Sequence, residues 1–208
     1  MKVALTLEVP TEARLCLNPP VTQTASHYVA INALPMLHSQ GRTVDAMLPE
    51  GNCLFKALSK ALFAVQSGHS KIRNLLVSFI VTNQLVFGGL RNGSVETHCG
   101  MMRKASTFGT QAELQAAASL FQFHVYVFDK PSKERGWGWM RYKPFGKEKL
   151  NYHNIYLPPP PNGFQIELLY DEVGAHFDLI VSKLTGTQFL EAPRCKAAVV
   201  SVDLTQSF

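Results

Sequence analysis

The sequence predicts an α/β (α+β) domain, a mixed sheet flanked by helices. Helical periodicities precede most of the strand patterns, and the strand patterns are grouped late in the chain. With 208 residues, 46% of them hydrophobic and 17% charged, the composition is that of an ordinary globular protein. A chain of this length buries a core without disulfide or metal staples.

Residues 1–42 hold no sustained periodicity, and Pro10, Pro19, Pro20 and Pro35 interrupt them. This predicts an irregular N-terminal flank with room for one short strand. Pattern strength rises at about residue 46. In Cys53–Val65 (CLFKALSKALFAV), Leu54, Leu58, Leu62 and Val65 recur at intervals of four, four and three, a helical stripe. Pro49, Glu50, Gly51 and Asn52 are turn formers, so Cys53 falls at a helix N-terminus. A second helix fits Lys71–Leu85, with Ile72, Leu75, Leu76, Phe79 and Ile80 on one face and Ser70 as cap. Phe87–Ser94 is glycine-rich and reads as a loop. A third helix fits Thr110–Phe121, where Thr110 and Glu113 have capping-box spacing.

His124–Asp129 (HVYVFD) is a strand pattern. Residues 130–163 form a long variable region, with an extended Pro158–Pro161 run and a turn at Asn162-Gly163. Phe164–Tyr170 and His176–Ser182 read as two strands joined by the acidic segment 171–175, an antiparallel pair. The pattern weakens after Lys183. The organisation is thus a flank over 1–42, one domain over 43–183 and a second flank over 184–208.

The net charge is +5 and the pI about 9.1, from scattered Lys and Arg. The densest groups, Lys130–Arg135 and Arg141–Lys149, contain or adjoin Trp137, Trp139 and Tyr142. A nucleic-acid face needs tighter clustering, so a solvated loop with aromatic anchors is the favoured reading. Trp137 and Trp139 are candidates either to contact a protein substrate or to pin their own loop. No apolar run reaches membrane-spanning length, and Glu8, Pro10 and Glu12 break the first apolar stretch. Cys16, Cys53, Cys99 and Cys195 are scattered without a CxxC pair, which favours reduced thiols and an intracellular, cytoplasmic setting.

Two places can carry nucleophilic chemistry. A helix N-terminus favours a thiolate, and the turn before Cys53 can aim backbone N–H groups at a developing oxyanion. In a strand, residues i and i+2 share a face, so His176 and Asp178 lie together, with Phe177 and Leu179 opposite. A carboxylate there holds one imidazole nitrogen and leaves the other for a thiol. Each also has a structural reading: Cys53 as a small buried apolar side chain, His176 as a core histidine. Their combination is the set of parts a cysteine nucleophile needs. His98-Cys99 lacks neighbours at zinc-ligand spacing, and no metal is expected.

Three segments carry a family resemblance. PEGNCLFKALSKALF resembles the cysteine box of the ovarian-tumour (OTU) cysteine proteases, in which D-G-x-C-L-F-R-A is usual. GTQAELQAAASLFQFHVYVF resembles the family's central helix and following strand, and IELLYDEVGAHFDLIV its histidine box. The resemblance spans about residues 43–183. It implies a papain-like fold with a sheet between helical lobes. It also implies hydrolysis of the isopeptide bond at ubiquitin's C-terminal glycine. In that scheme Cys53 is the nucleophile, His176 the base and then acid, and Asp178 the residue orienting the imidazole. Ubiquitin or polyubiquitin is the implied partner, with no metal or organic cofactor. Glu50 stands where the family usually has Asp. It is expected to hold the loop, with Gly51 and Asn52 supporting an oxyanion site. The alternative is an OTU module that binds ubiquitin without cleaving it.

Overall fold

The computed structural model describes residues 2–5, 30–88, 94–130, 136–144, 152–155, 158–160, 165–172, 174–182 and 200–203. Residues 89–93 of the loop expected at Phe87–Ser94, the Asn162-Gly163 turn, and the charged stretches 131–135 and 145–150 lie outside these residues. So do Phe164, Cys16 and Cys195. Phe87 itself closes a turn of helix.

Among the described residues there are two sheets. The smaller pairs β1 (Lys2–Leu5) antiparallel with β8 (Val200–Asp203). The larger has six strands: β2 (Arg42–Asp45), β3 (His124–Asp129), β4 (Gly138–Tyr142), β5 (Tyr152–Ile155), β6 (Gln165–Asp171) and β7 (His176–Ser182). Their order is β2-β7-β6-β3-β4-β5. The β3–β6 pair is parallel and the others antiparallel, so the sheet is mixed. The expected β6–β7 antiparallel pair is present, with Asp171 opposite His176 and Leu169 opposite Asp178.

Helices cover both faces. On one, α2 (Cys53–Phe63), α3 (His69–Thr82), α5 (Val95–Met102) and α6 (Gln111–Phe121) bury Leu54, Phe55, Leu58, Ile72, Leu76 and Ile80. The sheet contributes Val125, Val127, Leu168, Phe177 and Leu179 to this core. Each such large apolar side chain stabilises the fold by roughly 1.5–3 kcal/mol. On the other face, α1 (Ala30–Ser39) seats Ala33 and Leu37 against Tyr126, Phe128, Trp139, Leu169 and Ile180.

Several boundaries differ from the sequence reading, each for a physical reason. The N-terminal flank is not irregular throughout: α1 occupies 30–39, with Pro35 inside it. Burial of Ala33 and Leu37, one turn apart and both fully enclosed, outweighs the hydrogen bond that proline forfeits. The α2 stripe is shorter than expected. Ala64 turns left-handed at φ 59°, the helix ends at Phe63, and Val65 is exposed. Ser70 lies inside α3, and the cap position falls to Gly68. Near the C-terminus of α3 the Asn83 side chain donates to the Phe79 carbonyl at 2.8 Å, competing with the helical ladder. A separate turn of helix, α4 (Gln84–Phe87), follows. The region 130–163 contains β4 and β5, which mixed charge and glycine conceal. By contrast, Thr110 and Glu113 form the complete capping box of α6. Among the described residues, no helix is long and apolar enough to cross a membrane.

Candidate active site

The turn at 49–52 delivers Cys53 to the first position of α2, where it is 1% exposed. That helix packs on β7, and the backbone amide of Phe177 donates to the Cys53 sulfur at 3.4 Å. The thiol is therefore fixed beside the first residues of β7, among them His176.

His176 and Asp178 share a face of β7, as strand alternation requires. His176 Nε2 lies 2.9 Å from Asp178 Oδ1. Opposed to a carboxylate, Nε2 carries a proton and donates it. The other nitrogen, Nδ1, is buried without a directed hydrogen-bond partner among the described residues. Burial pulls the imidazole pKa down. The hydrogen bond with Asp178 and the proximity of the Cys53 sulfur outweigh that pull, and the pKa is raised to about 10. At neutral pH this imidazole holds its proton. The geometry thus brings together a thiol, an imidazole and a carboxylate, all three buried.

Glu50 is turned elsewhere. Its carboxylate pairs with Lys56 on the first turns of α2 and accepts from Asn52 Nδ2 at 3.4 Å. The Lys56 contact holds its pKa below the usual carboxylate value. The Cys53 amide donates to the Glu50 carbonyl at 3.0 Å, so one amide of the expected oxyanion loop is engaged within the turn. Gly51 is packed on the backbone of Ser106, where any Cβ would land on the Ser106 carbonyl. The demand for glycine comes from this neighbouring loop. Ser106 itself sits at φ 61°, in the left-handed region. Asn52 is 7% exposed, and its Oδ1 accepts from the Ser106 amide at 3.2 Å.

Sequence reasoning missed Arg73. This α3 residue is 3% exposed and donates to the Gly51 carbonyl at 2.9 Å and to Asn52 Oδ1 at 2.8 Å. Its position gives the only textual signal: Arg73 stands in helical register with Leu76, Val77 and Ile80, a cation on the buried stripe.

Of the two readings of the Trp pair, the packing favours the one in which the rings pin their own segment. Trp139 is 3% exposed, packed on Phe128 with ring centroids 4.9 Å apart and lying under Arg42. Trp137 stacks on Phe128 at 5.4 Å. Both join the aromatic cluster on the face covered by α1, because alternation along β4 sends Trp139 to that side and Met140 and Tyr142 to the other. They anchor their own strand and its approach. His98, set beside Cys99 in the sequence, instead meets Glu113 at 2.6 Å, and both are buried. Among the described residues, no group of three or more His, Cys, Asp or Glu side chains could hold a metal ion.

The family model for the OTU-like cysteine protease matches residues 48–158, just over half of the chain. The chain belongs to the OTU-like cysteine protease family. The matched span contains Cys53 and ends before β6 and β7, so His176 and Asp178 lie beyond it. Among family relatives, the ovarian tumor domain-containing deubiquitinating enzyme 7 of Arabidopsis thaliana is 29% identical over 93 residues, 44% of this chain and 25% of that protein. The OTU domain-containing protein 5 of Xenopus tropicalis is 23% identical over 122 residues, 58% of this chain and 23% of that protein. The chain thus spans about a quarter of the length of these curated relatives. Among solved structures, the OTU domain of OTUD1 aligns with a TM-score of 0.56 at 21% identity, covering 74% of this chain and 94% of that domain. An OTU deubiquitinase from Wolbachia pipientis wMel, solved bound to ubiquitin, aligns with a TM-score of 0.56 at 13% identity, covering 69% and 98%. The OTU fold is common to all three.

Proposed function

We propose that this chain is a thiol-dependent deubiquitinase that hydrolyses the isopeptide bond at ubiquitin's C-terminal glycine. The observation that carries this reading is the Cys53 sulfur held at the start of β7, where His176 is braced at 2.9 Å by Asp178. Membership of the OTU-like cysteine protease family supports the reaction class, and relatives named as deubiquitinating enzymes support the substrate. Cys53 attacks the carbonyl of the terminal glycine as a thiolate paired with the His176 imidazolium, which already holds the proton. With the Cys53 amide engaged by the Glu50 carbonyl, the backbone of residues 51–52 is left to meet the oxyanion. His176 then protonates the departing lysine amine, and water, deprotonated by the same imidazole, releases the acyl group from the sulfur. Asp178 holds Nε2 throughout and keeps the ring turned so that Nδ1 serves the sulfur.

The test is a ubiquitin probe carrying a C-terminal electrophile, alongside a di-ubiquitin panel. The expected result is a covalent adduct at Cys53 and cleavage of at least one linkage, both lost in Cys53→Ala. Tight binding of ubiquitin without an adduct would overturn the reading.

A further inference from the structure

The Arg73 guanidinium joins two loops at the head of α2. Nη2 donates to the carbonyl of Gly51 at 2.9 Å, to Asn52 Oδ1 at 2.8 Å and to the carbonyl of Thr107 at 2.9 Å. Nη1 donates to the carbonyl of Met102 at 3.1 Å and meets its sulfur at 3.2 Å. The guanidinium carbon stands 3.8 Å from the centroid of the Phe55 ring. An apolar side chain would fill this space without taking a charge out of water, so packing alone does not explain a cation here. Burial lowers its pKa, and the nearby Glu113 and Cys53 act against that fall.

The consequence is geometric. A trans peptide is planar, and its C=O and N–H point in opposite directions. With the Gly51 oxygen held by Arg73, the N–H of the same peptide, that of Asn52, is directed away from the guanidinium. A cation on the carbonyl end also polarises the unit and strengthens its N–H as a donor. The adjacent Cys53 amide is engaged with the Glu50 carbonyl. The Asn52 amide is therefore the one beside the nucleophile whose direction this contact sets. The Asn52 side chain locks the arrangement by bridging Arg73 and the Ser106 amide.

We propose that Arg73 is a positioning residue for the oxyanion site: it fixes the Gly51–Asn52 peptide so that the Asn52 N–H donates to the acyl oxygen in the tetrahedral intermediate. This rests on the reading of Cys53 as nucleophile. Arg73 meets no reacting atom and acts through residues 51 and 52.

The experiment compares wild type, Arg73→Met and Arg73→Lys on ubiquitin bearing a C-terminal fluorogenic amide, with kcat and KM separated. Cys53 alkylation by iodoacetamide and thermal melting are measured on the same samples. For Arg73→Met the expected result is a fall in kcat of about 10- to 100-fold, with KM little changed and Cys53 alkylated no more slowly than in wild type. Arg73→Lys keeps the charge but lacks the fork, and is expected to recover part of kcat. Should Arg73→Met fail to fold, Arg73→Lys alone decides: undiminished kcat overturns the proposal. A fall in kcat matched by an equal fall in alkylation also overturns it, because the thiol itself would then be disturbed. An inert wild type that no ubiquitin electrophile labels would overturn the functional reading, and this proposal with it. An active wild type with unimpaired variants overturns this proposal alone.

Discussion

Asp178 Oδ1 is shared between the imidazole of His176, 2.9 Å away, and the backbone amide of Met47, which donates to it at 2.7 Å. The amide belongs to the chain just beyond β2, itself paired with β7, so backbone geometry sets the carboxylate before any substrate arrives. Asp178→Asn keeps an acceptor for Met47 but presents a neutral group to Nε2. It is expected to cut kcat by roughly a thousandfold while the protein still folds. Glu50→Ala removes a partly exposed pair with Lys56 and is expected to cost less than about 1 kcal/mol and much less activity. Steady-state kinetics of both variants checks the order. A larger loss for Glu50→Ala would assign the orienting role to Glu50.

The raised pKa of His176 has a definite sign in stability. An unfolded histidine titrates near 6.5 and this one at about 10, so the folded state binds the proton more tightly. The stabilisation is complete below about pH 6.5, declines between the two values and is gone above about 10. Urea unfolding of wild type and His176→Ala across this range is expected to show the largest difference near pH 6, shrinking as pH rises. A difference growing toward pH 10 would contradict the assignment.

Gly51→Ala places a methyl group on the Ser106 carbonyl, backbone against backbone, with no side chain free to yield. One of the two loops must move. The expected outcome is a loss of roughly 1–3 kcal/mol, as for an overpacked core, together with faster Cys53 alkylation as the turn opens. Thermal melting and alkylation rates measure both. Unchanged values would show that the two loops do not press on one another in solution.

The parts of this site legible in the sequence are those set by local pattern. Cys53 follows turn formers and begins a stripe of leucines. His176 and Asp178 sit two apart in an apolar strand. Thr110 and Glu113 have capping-box spacing. Each is fixed within a few residues, so periodicity and turn chemistry find it. What the sequence conceals depends on distant contact. The Met47 amide reaches Asp178 across 131 positions, and Ser106 meets Asn52 across 54. Arg73 reads as a surface cation until α2 and the 102–107 segment enclose it. Helix α1 is hidden by Pro35, and β4 by alternation that becomes visible only once Trp139 is seen to face α1. The aromatic residues at 137 and 139 invite an interface reading for the same reason: sequence shows an aromatic ring and not the neighbour that covers it.

The enclosure of the Cys53 sulfur, only 1% exposed, bears on its chemical lifetime. Peroxide oxidises a thiolate to a sulfenic acid only where the oxidant can reach it. A sulfur walled in by its own turn and by β7 is shielded from that attack while idle. Under the proposed reaction, the sulfur would become vulnerable when an acyl group is admitted. Oxidative inactivation of this protein should therefore track its working cycle, with the busiest molecules damaged first.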